Sequence, residues 1–135
     1  MAPKKKILIC EDDRDFARVL LIRLTHAGFE VGLAVDSLQV MQMARKNAPD
    51  CIVLDLNMPG GRGPEIVRRL EDNAQTAATP VILMSGKDPD LSLFSEFYHD
   101  RFIKKPFEVT LLIDMINQLL QTDPSDLSKE NDKQN

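Results

Sequence analysis

Two stretches of this chain, CIVL at residues 51–54 and VILM at residues 81–84, are apolar at every position. Side chains on a strand point to opposite faces in turn, so a half-exposed strand alternates apolar with polar residues. A strand that is apolar throughout has to be covered on both faces. That is the condition of a parallel sheet packed between two layers of helices. The run ILIC at residues 7–10 makes the same demand.

The intervening segments read as helices and one further strand. Residues 14–27 place Phe16, Val19, Leu20, Ile22 and Leu24 at helical spacing, and Gly28 stands where a helix end favours positive φ. Residues 29–34 predict the second strand. Ser37 is expected to N-cap a helix through residue 46, with Leu38, Met41 and Ala44 facing in. Pro49 and Asp50 break it before the third strand. Residues 64–73 predict a helix with Pro64 in its first turn and Ile66, Val67 and Leu70 buried. The fourth strand starts at Pro80. Residues 90–98, DLSLFSEFY, fit a helix through Leu91, Phe94 and Phe97, diluted by serines and aromatics. A short fifth strand at residues 102–104 precedes a last helix over residues 107–121, carried by Leu111, Leu112, Met115, Ile116 and Leu119. Five strands alternating with five helices predict an α/β fold, and right-handed crossovers leave few topologies for it. From Thr122 onward the chain is almost wholly polar, too poor in apolar surface to repay ordering. The expected organisation is therefore one domain over residues 1–121 and a disordered tail over 122–135.

Gross composition narrows the function classes. A chain of 135 residues, 43% hydrophobic, supports one core without staples. No apolar stretch approaches the roughly 18 residues of a membrane span. The basic start, MAPKKK, leads into too short an apolar run for a signal peptide, so a cytoplasmic location is expected. Cys10 and Cys51 lie inside strand-like runs and read as buried reduced thiols; His26 and His99 lack the spacing of metal ligands. With a net charge of −4 and basic residues scattered apart from Lys4, Lys5 and Lys6, no face for nucleic acid is expected.

In open α/β sheets the functional crevice lies beyond the carboxyl ends of the strands. The first strand is followed by Glu11, Asp12 and Asp13, the third ends in Asp55 before Asn57, the fourth is followed by Ser85 and Gly86, and the fifth by Lys105 and Pro106. Taken singly these are ordinary: an acidic helix start, turn chemistry, a loop, a helix break. Together they are specific. Two unit charges about 4 Å apart repel by about 4 kcal/mol at an effective dielectric near 20, so gathered carboxylates need a cation beyond one lysine. A hard divalent ion with oxygen ligands, magnesium or manganese as its substitute, fits, and it favours a phosphate oxygen in the same crevice. Asp55, alone on the central strand between the acidic pair and Ser85 with Lys105, stands where a carboxylate nucleophile would attack a phosphoryl group.

The motifs ILICEDD, IVLDLNMPGGRG, PVILMSGKD and FIKKPF resemble, in order and spacing, a two-component response-regulator receiver domain of the chemotaxis-regulator type. The resemblance covers residues 5 to about 121 and implies a flavodoxin-like, doubly wound five-stranded parallel sheet of order 2-1-3-4-5. By the same resemblance Asp55 is the phosphoacceptor and Asp12 a direct magnesium ligand, with Glu11 acting through water and Asn57 through its backbone carbonyl. Ser85 and Lys105 would bind the phosphoryl group, with a cis Lys105–Pro106 peptide, and Phe102 takes the aromatic switch position. Asn57 and Lys87 would tune dephosphorylation. Asp13 and Lys104, each one residue off the motif, receive no such role.

The resemblance further implies a signalling switch rather than a conventional enzyme. A histidine kinase or histidine phosphotransfer protein would be its donor, and a surface of the fourth helix, fifth strand and fifth helix would meet a downstream protein target. No membrane or nucleic-acid contact and no output domain are expected in this chain. Two departures stand out: the interval from Ser85 to Lys105 is short for the family, and Gly86 replaces a frequent alanine. A flavin carrier of the same topology would require a phosphate cradle where Glu11, Asp12 and Asp13 stand. A small-molecule phosphohydrolase lacks a cap, and a phosphorylation-independent module would not need the full set of site residues.

Overall fold

The computed structural model describes residues 3–60, 62–94, 98 and 101–120. Its strands are β1 (Lys6–Cys10), β2 (Glu30–Ala34), β3 (Cys51–Asp55), β4 (Val81–Ser85) and β5 (Phe102–Lys104). The helices are α1 (Arg14–His26), α2 (Ser37–Asn47), α3 (Gly63–Asp72) and α4 (Val109–Leu120). All pairings are parallel, in the order β2-β1-β3-β4-β5. The all-apolar runs occupy the centre, as their composition demands: every residue of β3 and of β4 is buried.

Alternate residues of the same strands feed two separate cores. Leu8, Ile52, Leu54 and Leu83 pack with Val40 and Ala44 of α2 and Ile66, Val67 and Leu70 of α3. Ile7, Val53, Ile82 and Met84 pack with Leu20 and Leu24 of α1 and Leu112 and Ile116 of α4. The two cysteines divide between these layers, Cys10 in the first and Cys51 in the second, and both are fully buried. Burial pushes both thiols upward, Cys51 to about 12, so neither is a thiolate near neutrality. Among the described residues no helix is long and apolar enough to cross a membrane.

Local chemistry sets most boundaries. Gly28 closes α1 at φ +102°, the left-handed conformation its position called for. Pro64 sits in the first turn of α3, where its missing N–H is no loss.

Four expectations need correction. The N-cap of α2 is Asp36, not Ser37: Asp36 is the extended residue, and its carboxylate accepts the Gln39 N–H at 2.9 Å. The buried stripe of α2 is Val40 and Ala44, while Leu38 is 66% exposed. In α1, Val19 and Ile22 point outward at 47% and 58% exposure, because 100° per residue sets them opposite Ala17, Leu20 and Leu24. Finally, within the segment expected as a helix over 90–98, the described residues Leu91–Leu93 form a 3₁₀ turn, and residues 95–97 lie outside the described residues. Asp90 precedes that turn and caps it, its carboxylate accepting the Ser92 N–H at 3.1 Å. The described helices therefore number four α-helices and this turn; Phe97, His99 and residues 121–135 lie outside the described residues.

Asp36→Ala should lower the urea unfolding free energy by about 1 kcal/mol, the usual loss on removing a cap. Unchanged stability would return the cap to Ser37.

Candidate functional site

Parallel strands deliver their carboxyl ends to one rim, and four of the five end in chemistry. Glu11 follows β1, with its N–H still donating to Ala34 O at 2.9 Å, so the backbone holds it in line with β2. Its side chain is buried, 1% exposed for the residue as a whole. Asp55, the last residue of β3, is 4% exposed. Beyond it the Leu56 N–H donates to Met84 O at 2.9 Å, so the sheet still guides the chain past the carboxylate. Lys105 leaves β5 with its N–H donating to Ser85 O at 2.8 Å, and a cis Lys105–Pro106 peptide follows.

The Lys105 ammonium joins the buried carboxylates. It pairs with Glu11 Oε1 and lies 3.1 Å from Asp55 Oδ2. Its outer side rests over the ring of Phe16, 4.8 Å from the centroid. Phe16 in turn packs edge-on against Phe107, with centroids 5.6 Å apart and planes at 75°. An ammonium over an aromatic face is attracted by the ring quadrupole, so this contact holds the cation without adding a competing anion. Phe16 was expected only as one of the apolar residues at helical spacing in α1. Its lysine contact brings together residues 89 positions apart in the chain, which helical periodicity does not encode.

Asp12 completes the acidic group from the solvent side. Ligand oxygens of Glu11, Asp12 and Asp55 all lie within 4.8 Å of one another. Asp13 takes no part: its carboxylate caps α1, accepting the N–H groups of Asp15 at 3.0 Å and Phe16 at 3.2 Å. Lys104 also points away, pairing with Asp88 at 3.1 Å on the exposed surface. The other oxygen of Asp55 accepts the Asn57 N–H at 3.0 Å, which bends the loop after β3 around the carboxylate. Ser85 is buried at the end of β4, its hydroxyl accepting the Lys87 N–H at 3.1 Å, which leaves its own hydrogen free to donate. Phe102, at the start of β5, is half-buried against the layer under α2 and α3.

Electrostatics separate the two buried acids. Burial is the largest influence on Glu11 and raises it to about 7, helped by Asp55 and opposed by Lys105. Burial would raise Asp55 too, but hydrogen bonding with Glu11, the Asn57 amide and Lys105 outweighs it and holds Asp55 below its ordinary value. Burial opposes the charge on Lys105, but its bonds to Glu11 and Asp55 prevail and raise it above its ordinary value. At neutral pH Asp55 is therefore ionised, while Glu11 titrates near neutrality. Three carboxylates against one ammonium leave an excess of negative charge and oxygen-only donors, a set that suits a hard divalent cation such as magnesium.

Residues 7–117 match the family described as the response regulator receiver domain. The response regulator ArlR of Staphylococcus saprophyticus is 33% identical over 121 residues, covering 88% of this chain and 54% of that protein. The chain thus spans about half the length of the curated relatives it matches. Among solved structures, the signal receiver domain of a DNA binding response regulator from Colwellia psychrerythraea is 30% identical with a TM-score of 0.77, covering 87% of this chain and 99% of that one. The chemotaxis response regulator CheY4 of Vibrio cholerae shares the fold at 24% identity, with a TM-score of 0.79 and coverage of 87% and 99%.

Glu11 makes a signed prediction for the metal-free protein. Its folded value of about 7 exceeds the ordinary 4.5, so the stability it lends is fully present below pH 4.5 and is lost as pH rises through 7. Asp55 acts oppositely, and only below about its ordinary 3.8. In a chelator, thermal melts should fall between pH 4.5 and 7, and Glu11→Gln should abolish that slope. A parent protein whose melting point holds level across the window contradicts the assignment.

Proposed function

Since the chain belongs to the response regulator receiver domain family, we propose that it is a phosphorylation-operated switch of a two-component relay with Asp55 as the phosphoacceptor. The observation that carries this reading is the juxtaposition of Glu11, Asp12 and Asp55, their oxygens within 4.8 Å, with Lys105 bonded to two of them.

An Asp55 oxygen attacks phosphorus of a phosphohistidine presented by a histidine kinase or histidine phosphotransfer protein. The new O–P bond forms as the P–N bond breaks, and the leaving imidazole keeps the electron pair and takes up a proton. Depression of the Asp55 carboxyl keeps it ionised for this attack across the neutral range. Lys105, already 3.1 Å from Asp55, neutralises charge that builds on the transferring oxygens. Asp12 and Asp55 would hold magnesium directly, with Glu11 through water and the Asn57 backbone carbonyl completing the set. Bound there, the ion supplies further charge neutralisation and orients the phosphoryl group.

Ser85 donates its hydroxyl hydrogen to the phosphorylated Asp55. Withdrawal of that hydroxyl toward the site opens space that half-buried Phe102 occupies, shifting a pre-existing equilibrium between two arrangements. The readout is a changed surface on β5 and α4 with the β4–β5 connection, offered to a downstream protein. Because that connection carries a 3₁₀ turn at Leu91–Leu93, its contribution to the surface differs from a regular helix. Asn57 and Lys87, two residues past Asp55 and Ser85, flank the path of the hydrolytic water and set the lifetime of the phosphorylated state. The domain is assigned to residues 1–121 and a polar tail to 122–135, in the cytoplasm.

Incubation with acetyl phosphate and magnesium should add one phosphoryl group per chain by intact mass. Asp55→Asn should abolish the gain, and Asp12→Asn should remove most of it along with magnesium uptake by calorimetry. Equal phosphorylation of Asp55→Asn would end the proposal.

A further inference from the structure

The loop between β3 and α3 carries Asn57. Two of the bonds that fix it come from a single residue on another element. The Ser37 N–H donates to Pro59 O at 3.2 Å, and the Ser37 hydroxyl donates to Gly60 O at 2.6 Å. Ser37 is the first residue of α2, 6% exposed, and 23 positions away in the chain. Asp36 frees it for this role by capping the helix, so the Ser37 hydroxyl is not consumed by an orphan N–H of α2.

The start of α2 is itself held on both sides. Asp36 accepts the Gln39 N–H at 2.9 Å, and the Gln39 side chain accepts the Val35 N–H at 3.0 Å. A reciprocal pair of this kind fixes the entry of the chain into the helix. Ser37 is thus mounted on a helix start held from both sides and reaches across to the loop. The loop is shaped to receive it. Gly60 has φ +92°, and a Cβ there would stand 2.6 Å from Ser37 Oγ, so only glycine lets the hydroxyl approach. Met58, between Asn57 and this contact, is buried in the core under α2 and α3. The loop is therefore tied at Asn57 to Asp55, at Met58 to the core, and at Pro59 and Gly60 to Ser37.

We propose that Ser37 is a positioning residue for the metal-binding loop, its hydroxyl latching Gly60 so that the backbone at Asn57 is held ready for the divalent ion. The inference rests on the reading of Asp55 and its neighbours as a magnesium site. A loosened loop has to be ordered when the ion binds, so the latch contributes to affinity by pre-organisation. It also makes the start of α2 a second control point for the site, remote from the reacting atoms.

Ser37→Ala tests the latch with the fold preserved: Asp36 still caps α2, the backbone bond to Pro59 survives, and alanine is a good helix former. Calorimetric titration of the full chain with magnesium should show affinity weaker by about fivefold, the ratio that loss of one ordinary hydrogen bond amounts to. Hydrogen exchange should quicken at the amides of Asn57, Met58 and Gly60 and stay unchanged in β1 and β3. Gly60→Ala should weaken magnesium binding in the parent, and by less in the Ser37→Ala background, where the facing oxygen is gone. Parent-like affinity and exchange in Ser37→Ala, or strictly additive losses in the double variant, would overturn the latch. A parent chain that takes up no magnesium would overturn the site reading beneath it as well.

Discussion

Two carboxylates buried within reach of one ammonium are the constraint that the upper rim of this molecule is built around. At an effective dielectric near 20, like charges about 4 Å apart repel by about 4 kcal/mol, and Glu11 and Asp55 are both withdrawn from water. Lys105 relieves part of that repulsion by touching both. Glu11 relieves more by holding its proton to about pH 7. The arrangement remains short of positive charge once Asp12 is included, a deficit that suits the rim to a hard cation.

The sheet is suited to holding such a strained set still. Glu11, Asp55, Ser85 and Lys105 come from four strand ends joined by parallel pairing, so their backbones are tied to one another through Ala34, Met84 and Ser85 carbonyls. The side chains that must act are short, or, in the case of Lys105, braced by Phe16. Asn57 and Lys87 lie in the loops that follow β3 and β4. For the proposed switch, acids fixed at strand ends let the chemistry stay in place while the surface changes.

Much of this was legible in the chain. CIVLD and VILMS announce doubly buried strands by composition alone, and the strand-end rule then finds Glu11, Asp12, Asp55, Ser85 and Lys105 without reference to contacts. What escaped depends on choices that composition leaves nearly equal. Asp36 and Ser37 are both good caps, and only the extended backbone at Asp36 decides between them. Val19 and Ile22 satisfy a helical count of apolar residues but sit on the wrong side of α1, since the face is set by Ala17, Leu20 and Leu24 together. The bracing of Lys105 by Phe16 and the approach of Ser37 to Gly60 join distant segments and leave no local trace.

The division of the two cysteines between the layers has a practical corollary. Cys10 lies beneath α2 and α3, Cys51 beneath α1 and α4, and the sheet itself separates them. Neither can reach the other to cross-link without the sheet coming apart. Each thiol is thus a silent internal gauge, reactive toward a modifying reagent only when its own side of the molecule opens. The relative labelling rates of the two sulfurs would therefore tell which half of the sandwich breathes first.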